Sequence, residues 1–245
     1  MKKSDSMLKY SIKLYQKVEI MKIELHVHST GFSYCGKLPV EELIPLYKAK
    51  NYDAMVLTNH FNSISAQYYA GNGGKNYHRD YHDMIRRAKE IGKKYNLIVL
   101  GGYELCFDEN ANDYLVYGMT EEFTRDYSSI FANGVTAFSE AARQNGFLLY
   151  QAHPFRNGMT VTKPEILFGI EVQNTHPRHD SRNDIAMAWA EKYGLHKIAG
   201  SDCHRIQDVG TSAIITDETV RNEEDLVEIL KNDRFTIIRE PQKGL

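Results

Sequence analysis

Short apolar runs recur along the chain, and most of them end in residues that can bind a metal ion. The seven runs are Met21–Val27, Asp53–Leu57, Ile98–Gly101, Tyr114–Gly118, Phe147–Tyr150, Ile170–Val172 and Lys197–Ala199. Helical periodicity fills most of the remaining sequence, over Pro39–Lys50, Tyr77–Tyr95, Phe131–Asn145, Ser181–Tyr193 and Asn222–Asn232. Strands that alternate with helices in this way predict parallel βα units.

Seven βα units with polar residues after their strands favour an α/β barrel whose site lies at the C-terminal ends of the strands. An open, doubly wound sheet is the alternative, since it also places sites at strand ends. The length of 245 residues suits one barrel domain over residues 21–245. Residues 1–20 precede the first apolar run and are predicted to be an N-terminal extension outside this domain.

Composition excludes several classes of protein. With 42% hydrophobic residues and a net charge of −2, the chain is not a disordered polymer. No apolar run approaches the roughly 20 residues of a membrane span, and without a basic excess we expect no long nucleic acid as a partner. Three irregularly spaced cysteines and the lack of a signal-peptide pattern predict a cytoplasmic location, with the oligomeric state left open.

Two pairs of residues at strand ends suggest a metal site. His26 and His28 are two positions apart on a predicted strand, so both imidazoles point to the same side. Asp202 and His204 repeat this spacing after the last βα strand. Closure of a barrel would make the first and last strands neighbours and bring the two pairs together.

His60, Glu104 and His153 also follow apolar runs. With the two pairs, five strand ends then carry seven nitrogen or oxygen ligands, a set that suits Zn, Mn or Fe better than Ca. Cys203 lies between two ligands and should point away from the metal. Cys35 lies in the loop after the first strand and could approach the site, but it is interpreted as a turn residue before a glycine.

These motifs resemble those of the PHP (polymerase and histidinol phosphatase) superfamily of metal-dependent phosphoesterases. The matching segments are Glu24-Leu-His-Val-His28-Ser-Thr30, Leu57-Thr-Asn-His60, Gly102-Tyr-Glu104, Ala152-His153-Pro-Phe-Arg156, Gly169-Ile-Glu-Val-Gln-Asn174 and Ala199-Gly-Ser-Asp-Cys-His204. The resemblance spans roughly residues 21–240. It implies a distorted, TIM-like (β/α)7 barrel that binds two or three divalent metals and hydrolyses a phosphate ester.

The resemblance also implies roles for the candidate ligands. Three metal positions follow from it: one held by His26, His28, Glu104 and Asp202, one shared by Glu104 and His153, and one held by His60 and His204. Two positions that often supply ligands in the family lack them here, in the segment of residues 31–36 and on the fourth strand. The number of bound metals is therefore left open, with Glu171, Asn174, His176 or water as possible completing ligands.

The expected reaction is attack on a small phosphomonoester or nucleotide by a metal-activated hydroxide, which makes the chain a phosphatase. Glu104, Asp202 and Arg156 are the predicted catalytic residues, and Arg156 would also bind the phosphate. Arg205 is a second candidate for the phosphate, and His176 for protonation of the leaving group. A nuclease-like phosphodiesterase and a non-catalytic metal-binding module are the alternatives.

Overall fold

The structure is a computed structural model that describes residues 20–239. Its strands are β1 (Met21–Val27), β2 (Ala54–Leu57), β3 (His60–Phe61), β4 (Ile98–Gly101), β5 (Tyr103–Cys106), β6 (Asp113–Tyr117), β7 (Leu148–Gln151), β8 (Gly169–Asn174), β9 (His196–Gly200), β10 (Ser212–Thr216) and β11 (Thr236–Arg239). Its α-helices are α1 (Val40–Ala49), α2 (Ser63–Gly71), α3 (Tyr77–Tyr95), α4 (Tyr127–Asn145), α5 (Asn183–Tyr193) and α6 (Glu223–Lys231). The predicted extension over residues 1–20 lies outside the described part of the chain, apart from its last residue.

The strands form two sheets, and the mixed α/β class predicted from the sequence is confirmed. The first sheet has the order β11-β10-β1-β2-β4 and the second the order β3-β5-β6-β7-β8-β9. Strands β1, β2 and β4 run parallel, as do β7, β8 and β9. Within residues 20–239, no helix is long and apolar enough to cross a membrane.

A closed barrel is not observed, because neither sheet closes on itself within residues 20–239. Strand-to-strand hydrogen bonding is interrupted between the two sheets. The chain leaves the first sheet after β2 and enters the second at β3, and it does so again between β4 and β5. At the first break, the hydroxyl of Thr58 accepts a hydrogen bond from Val27 N at 3.0 Å, where a strand would offer a carbonyl. On the other side, the sheets meet through a parallel bridge of Val27 with Cys203.

The expectation of parallel units is wrong at β6, and β10, which lies outside the seven predicted runs, is antiparallel as well. Strand β6 is antiparallel to β5 and β7, and β10 is antiparallel to β1. Only residues 107–112 link β5 to β6, whereas a parallel crossover requires about a dozen residues or more. The short connection therefore forces a hairpin.

All five predicted helices are present, and one further helix was missed. Helix α2 occupies part of the glycine- and tyrosine-rich segment before α3, and the Asn62 side chain caps it by accepting a hydrogen bond from Ser65 N at 2.8 Å. Its apolar residues show little helical periodicity, which explains why the sequence pattern did not reveal it.

Apolar side chains fill the space between the sheets and the helices. Leu25, Val56 and Ile198 are fully buried in one cluster of strand residues. Tyr47 of α1 and Met55 of β2 are fully buried in a second cluster, which also includes Ala88 of α3. This packing fixes the strands so that the carboxyl ends of β1, β3, β5, β7 and β9 converge on one edge of the molecule.

Candidate metal centre

The structure brings all seven predicted ligands together at this edge. His26 lies on β1 and His28 directly follows it, His60 lies on β3 and Glu104 on β5, while the other three follow β7 and β9. Every one of the seven is at most 9% exposed, the set being His26, His28, His60, Glu104, His153, Asp202 and His204. Groups this polar are buried together only where they satisfy one another or a ligand.

Four of these side chains converge on one point. His26 Nε2 lies 3.1 Å from both His28 Nε2 and Glu104 Oε1. Asp202 Oδ1 lies 3.5 Å from His26 Nε2 and 3.3 Å from His28 Nε2. Ligands bound tetrahedrally at 2.0–2.1 Å are separated by about 3.3 Å, so the four donor atoms are spaced as the ligands of one cation are.

The hydrogen bonds on the far side of the two imidazoles define their tautomers. His26 Nδ1 lies 3.0 Å from Glu171 Oε1, a carboxylate that can only accept, so Nδ1 carries a proton. His28 Nδ1 donates to Ser33 Oγ at 3.0 Å, because that hydroxyl gives its own proton to Asn59 Oδ1. The two Nε2 atoms therefore face each other, which is favourable only with a positive charge between them. Although burial lowers the pKa of His26, Glu104 and Asp202 outweigh it and raise that pKa well above its usual range, so a proton can hold this place when no metal is bound.

Glu104 shows the same need for a cation. Its Oε2 is buried without a hydrogen-bond partner, although His60 Nδ1 is only 2.7 Å away and also has none. Burial alone would raise the pKa of Glu104, but His26 and His60 outweigh it and hold that pKa well below its usual range. The residues present thus fit a divalent metal.

His153 and Asp113 extend the cluster on the side away from His204. His153 Nε2 lies 3.2 Å from Glu104 Oε1 and 3.9 Å from Asp113 Oδ2. Atoms of His60, Glu104 and Asp113 also lie within 4.8 Å of one another. Asp113 was not predicted as a ligand, although it is the first residue of β6, the fourth predicted strand, which lacks the ligand common in the family.

Glu171 is the second residue whose contribution was not predicted in detail. Its Oε1 accepts from His26 Nδ1, and its Oε2 accepts from His153 N and Asn174 Nδ2, both at 2.9 Å. It therefore orients two candidate ligands and does not point into the cluster itself. The signal was a glutamate between the apolar residues Ile170 and Val172 of β8.

Two of the candidate ligands have unusual backbone conformations. His153 has φ 29° and Asp202 has φ 51°, both in the left-handed region. Such a conformation costs about 1–3 kcal/mol for a non-glycine residue and is concentrated at functional sites. It turns both side chains back toward the cluster immediately after their strands end.

Arg156 reaches the same centre from the loop after β7. Its Nη2 donates to Asp202 Oδ2 at 2.7 Å and to Asn174 Oδ1 at 3.1 Å. Its Nε is buried and has no partner. Because Asp202 Oδ2 is occupied by Arg156, Oδ1 is left to face the two imidazoles.

An open cleft of about 350 Å³ lies over the cluster. Arg205 lines its rim, and His176 lies in its wall with Nε2 2.9 Å from Arg178 Nη2. Arg178 is also paired with Asp208, through contacts of 2.9 and 2.6 Å. His176 therefore faces the cleft but lies apart from the four-atom centre, and the structure does not bring Arg205 into contact with it.

Comparison with known proteins supports this type of fold. A family model described as PHP-associated matches residues 180–235. A two-domain protein from Bacteroides vulgatus containing a PHP-like metal-dependent phosphoesterase is 18% identical with a TM-score of 0.64, over 91% of this chain and 65% of that one. PsfC from Pseudomonas syringae is 17% identical with a TM-score of 0.65, over 91% of this chain and 93% of that one. No curated protein matches the chain.

Endonuclease Q, in complex with a 27-mer duplex, has the same fold. It is 12% identical with a TM-score of 0.60, over 87% of this chain and 57% of that chain. The family match over residues 180–235 and the shared fold of these structures agree with the predicted resemblance to the PHP superfamily. This chain spans 65% of the length of the Bacteroides protein.

The expectation that long nucleic acid is excluded as a partner is wrong. Endonuclease Q holds a 27-mer duplex with an abasic lesion at its active site, on the same fold. The net charge of −2 averages over the whole surface, whereas binding depends on charge near the site. Here Arg156, Arg178 and Arg205 all line the cleft.

Proposed function

We propose that this protein is a metal-dependent hydrolase of phosphate esters. The observation that carries the proposal is the convergence of the Nε2 atoms of His26 and His28, 3.1 Å apart, with two carboxylates at 3.1–3.5 Å. A divalent cation satisfies all four donor groups at once. The proposed roles of His26, His28, Glu104 and Asp202 rest on this geometry.

The proposed ligands divide as the resemblance implies. His26, His28, Glu104 and Asp202 would hold one cation, Glu104 and His153 would share a second, and His60 and His204 would take part in a third. Zn, Mn and Fe fit a set of imidazoles and carboxylates. When bound, such a cation polarises a phosphoryl oxygen and supplies a nucleophile at neutral pH.

Arg156 is the proposed anion-binding residue. Its Nη2 is fixed by Asp202 and Asn174, so the guanidinium is held in one orientation. Its buried, unpaired Nε then donates to an oxygen of the substrate, which satisfies a donor that otherwise lacks a partner. The guanidinium remains positively charged at any physiological pH and offsets charge on the phosphoryl group.

Glu104 and Asp202 fix the reacting region from opposite sides of the imidazole pair. Asp202 orients Arg156 through Oδ2 while Oδ1 faces His26 and His28. Asp202 would therefore take part in holding a cation through Oδ1, while Oδ2 holds the guanidinium of Arg156 that would face the substrate anion. We propose His176 and Arg205, at the cleft wall and rim, as contacts to the rest of the substrate.

A nucleotide is the proposed small substrate. The ring of Tyr34 is 47% exposed and stacks on His60 with centroids 5.6 Å apart, so its outer face is open to a base beside the cleft. Tyr68, 39% exposed, contacts Tyr34 edge-on at 6.3 Å. A phosphodiesterase acting on nucleic acid is the second candidate, because the same aromatic surface and the fold shared with Endonuclease Q suit a strand end.

The test uses metal-free protein reconstituted with Mn²⁺ or Zn²⁺. Hydrolysis of 4-nitrophenyl phosphate, bis(4-nitrophenyl) phosphate, a nucleoside monophosphate and a 5′-phosphorylated oligonucleotide separates monoesterase from diesterase activity. Glu104→Gln and Asp202→Asn should abolish metal-dependent hydrolysis, and Glu165→Gln, an exposed position, should not. Full activity in Glu104→Gln contradicts the proposal, and metal binding without hydrolysis of any substrate indicates a non-catalytic module.

A further inference from the structure

A sulfur atom lies beside the imidazoles at the outer end of the cluster. Cys35 Sγ is 3.0 Å from His204 Nε2. The rings of His28 and His204 stack with centroids 4.2 Å apart, and nitrogen atoms of His28, His60 and His204 lie within 4.8 Å of one another. Three imidazoles and a thiol thus meet at one place in the cleft.

The loop that carries Cys35 is anchored at both ends. Thr30 N donates to Leu38 O and Lys37 N donates to His204 O, each at 2.9 Å. A side chain at Gly36 would place its Cβ 2.7 Å from Ser29 O, so the backbone packs too closely there for any other residue. The position of Cys35 against His204 is therefore set by the fold.

Two buried atoms without partners point toward the same cluster. Glu104 Oε2 lies 2.7 Å from His60 Nδ1 and 3.3 Å from His28 Nε2, yet it makes no hydrogen bond. Glu104 is 1% exposed and His60 is 9% exposed. A carboxylate oxygen and an imidazole nitrogen left unsatisfied beside a thiol indicate a cation at this end of the site as well.

We propose that Cys35 is a thiolate ligand of a soft divalent cation, together with His60 and His204. The inference rests on the proposed metal-dependent function and specifies the metal preference of one position. On binding, the thiol loses its proton to solvent and the sulfur donates an electron pair to the cation. Thiolate favours Zn²⁺ or Co²⁺ over Mn²⁺ and Mg²⁺, which prefer oxygen.

The distances allow this ligation with little movement. Tetrahedral bonds of 2.3 Å to sulfur and 2.0–2.1 Å to nitrogen separate the two atoms by about 3.6 Å, against the 3.0 Å between Cys35 Sγ and His204 Nε2. A shift of a few tenths of an ångström on each side is sufficient. Cys35 is partly exposed, so its side chain has room to move into the cleft.

The test is absorption of Co²⁺-substituted protein. Wild type should show a near-ultraviolet sulfur-to-cobalt charge-transfer band that is lost in Cys35→Ser and kept in Cys106→Ser, the matched control. Cys106 donates to Asn110 O at 3.5 Å and does not line the cleft. Competition titrations should show that Cys35→Ser weakens Zn²⁺ binding at one site by about tenfold or more while Mn²⁺ affinity changes little.

The outcomes separate this inference from the proposed function. Co²⁺ bound with visible ligand-field bands but without the charge-transfer band, or a band that persists in Cys35→Ser, overturns the role of Cys35 and leaves the metal-dependent function intact. Failure of wild type to bind any divalent cation overturns both. Circular dichroism shows whether the variants are folded, and Cys35→Ala provides a second variant that carries no oxygen ligand.

Discussion

Glu171 determines which nitrogen of His26 carries the proton, so Glu171→Gln tests whether the imidazole pair is built for a cation. In the native protein, Oε1 accepts from His26 Nδ1, while Oε2 accepts from His153 N and Asn174 Nδ2. A glutamine has one accepting oxygen and one donating NH2 group, so it cannot reproduce this arrangement.

The two orientations of the new amide have different consequences. With its NH2 group toward His153 N and Asn174 Nδ2, donors oppose donors, at about 1–3 kcal/mol for each buried group left unpaired. With the NH2 group toward His26, those two bonds survive and His26 Nδ1 becomes an acceptor. Its proton then moves to Nε2, where the cation would bind. We expect the second orientation, since it leaves no donor unpaired.

The expected result is a folded protein with weakened metal binding. The unfolding free energy of the metal-free variant should fall by about 1 kcal/mol or less. Its affinity for Zn²⁺ or Mn²⁺ should fall by about 10- to 100-fold, as is typical when the hydrogen-bond partner of a ligand is lost, which equals about 1.4–2.7 kcal/mol.

Isothermal titration of metal-free protein measures the affinity, and urea unfolding measures the stability. Glu191→Gln makes the same chemical change at an exposed position of α5 and should alter neither quantity. Native metal affinity in Glu171→Gln would refute the tautomer assignment. A loss of several kcal/mol in stability with native affinity would show that the amide takes the first orientation.

Three further predictions concern the surroundings of the site. In Gly200→Ala, the new Cβ would lie 2.3 Å from His26 Cβ, so we expect about 1–3 kcal/mol of destabilisation and weaker metal binding, whereas Gly71→Ala, with nothing within 4 Å, is the control; equal melting temperatures would contradict this. Removal of the metal with a chelator should lower the melting temperature, and re-addition of the metal should restore it, since a ligand at 100 times its Kd contributes about 2.7 kcal/mol to the free energy of unfolding. A melting temperature that is the same with and without added metal argues against a metal site. Burial lowers the pKa of His82 to about 4, so the unfolded chain takes up this proton first and stability should fall by up to about 3 kcal/mol between pH 6.5 and 4. Urea titrations of wild type and His82→Gln check this, and identical pH profiles would disprove it.

The sequence predicted most of the strands, though not the short β3 and β5, and it placed candidate ligands near strand ends, because both features depend on local patterns. Apolar runs that end in histidine or carboxylate mark strand ends regardless of how the strands pair. Pairing depends on the length of each connection and on bends in the chain, so β6 and the break at Thr58 were not visible in the runs. The closed barrel was inferred from the number of βα units, the polar residues at their strand ends and the family resemblance, and none of these defines closure.

Ligand types were readable from the sequence, whereas their orientation was not. Asp113 was overlooked because a histidine was sought on its strand, although a carboxylate serves the same purpose. Cys35 was interpreted as a turn residue because nothing in residues 31–36 shows that the loop folds back onto His204. Contacts of this kind join segments that are more than a hundred residues apart.

Arg156 illustrates how orientation adds meaning to a residue proposed from the sequence. The sequence placed a cation-bearing side chain near a predicted ligand, which predicts a phosphate contact and nothing more. The structure adds that its Nη2 engages Asp202 Oδ2, while its buried Nε lacks a partner. A substrate oxygen at Nε would therefore act on the same guanidinium that positions Asp202, so anion binding and the presentation of Asp202 Oδ1 to His26 and His28 are coupled through one rigid planar group.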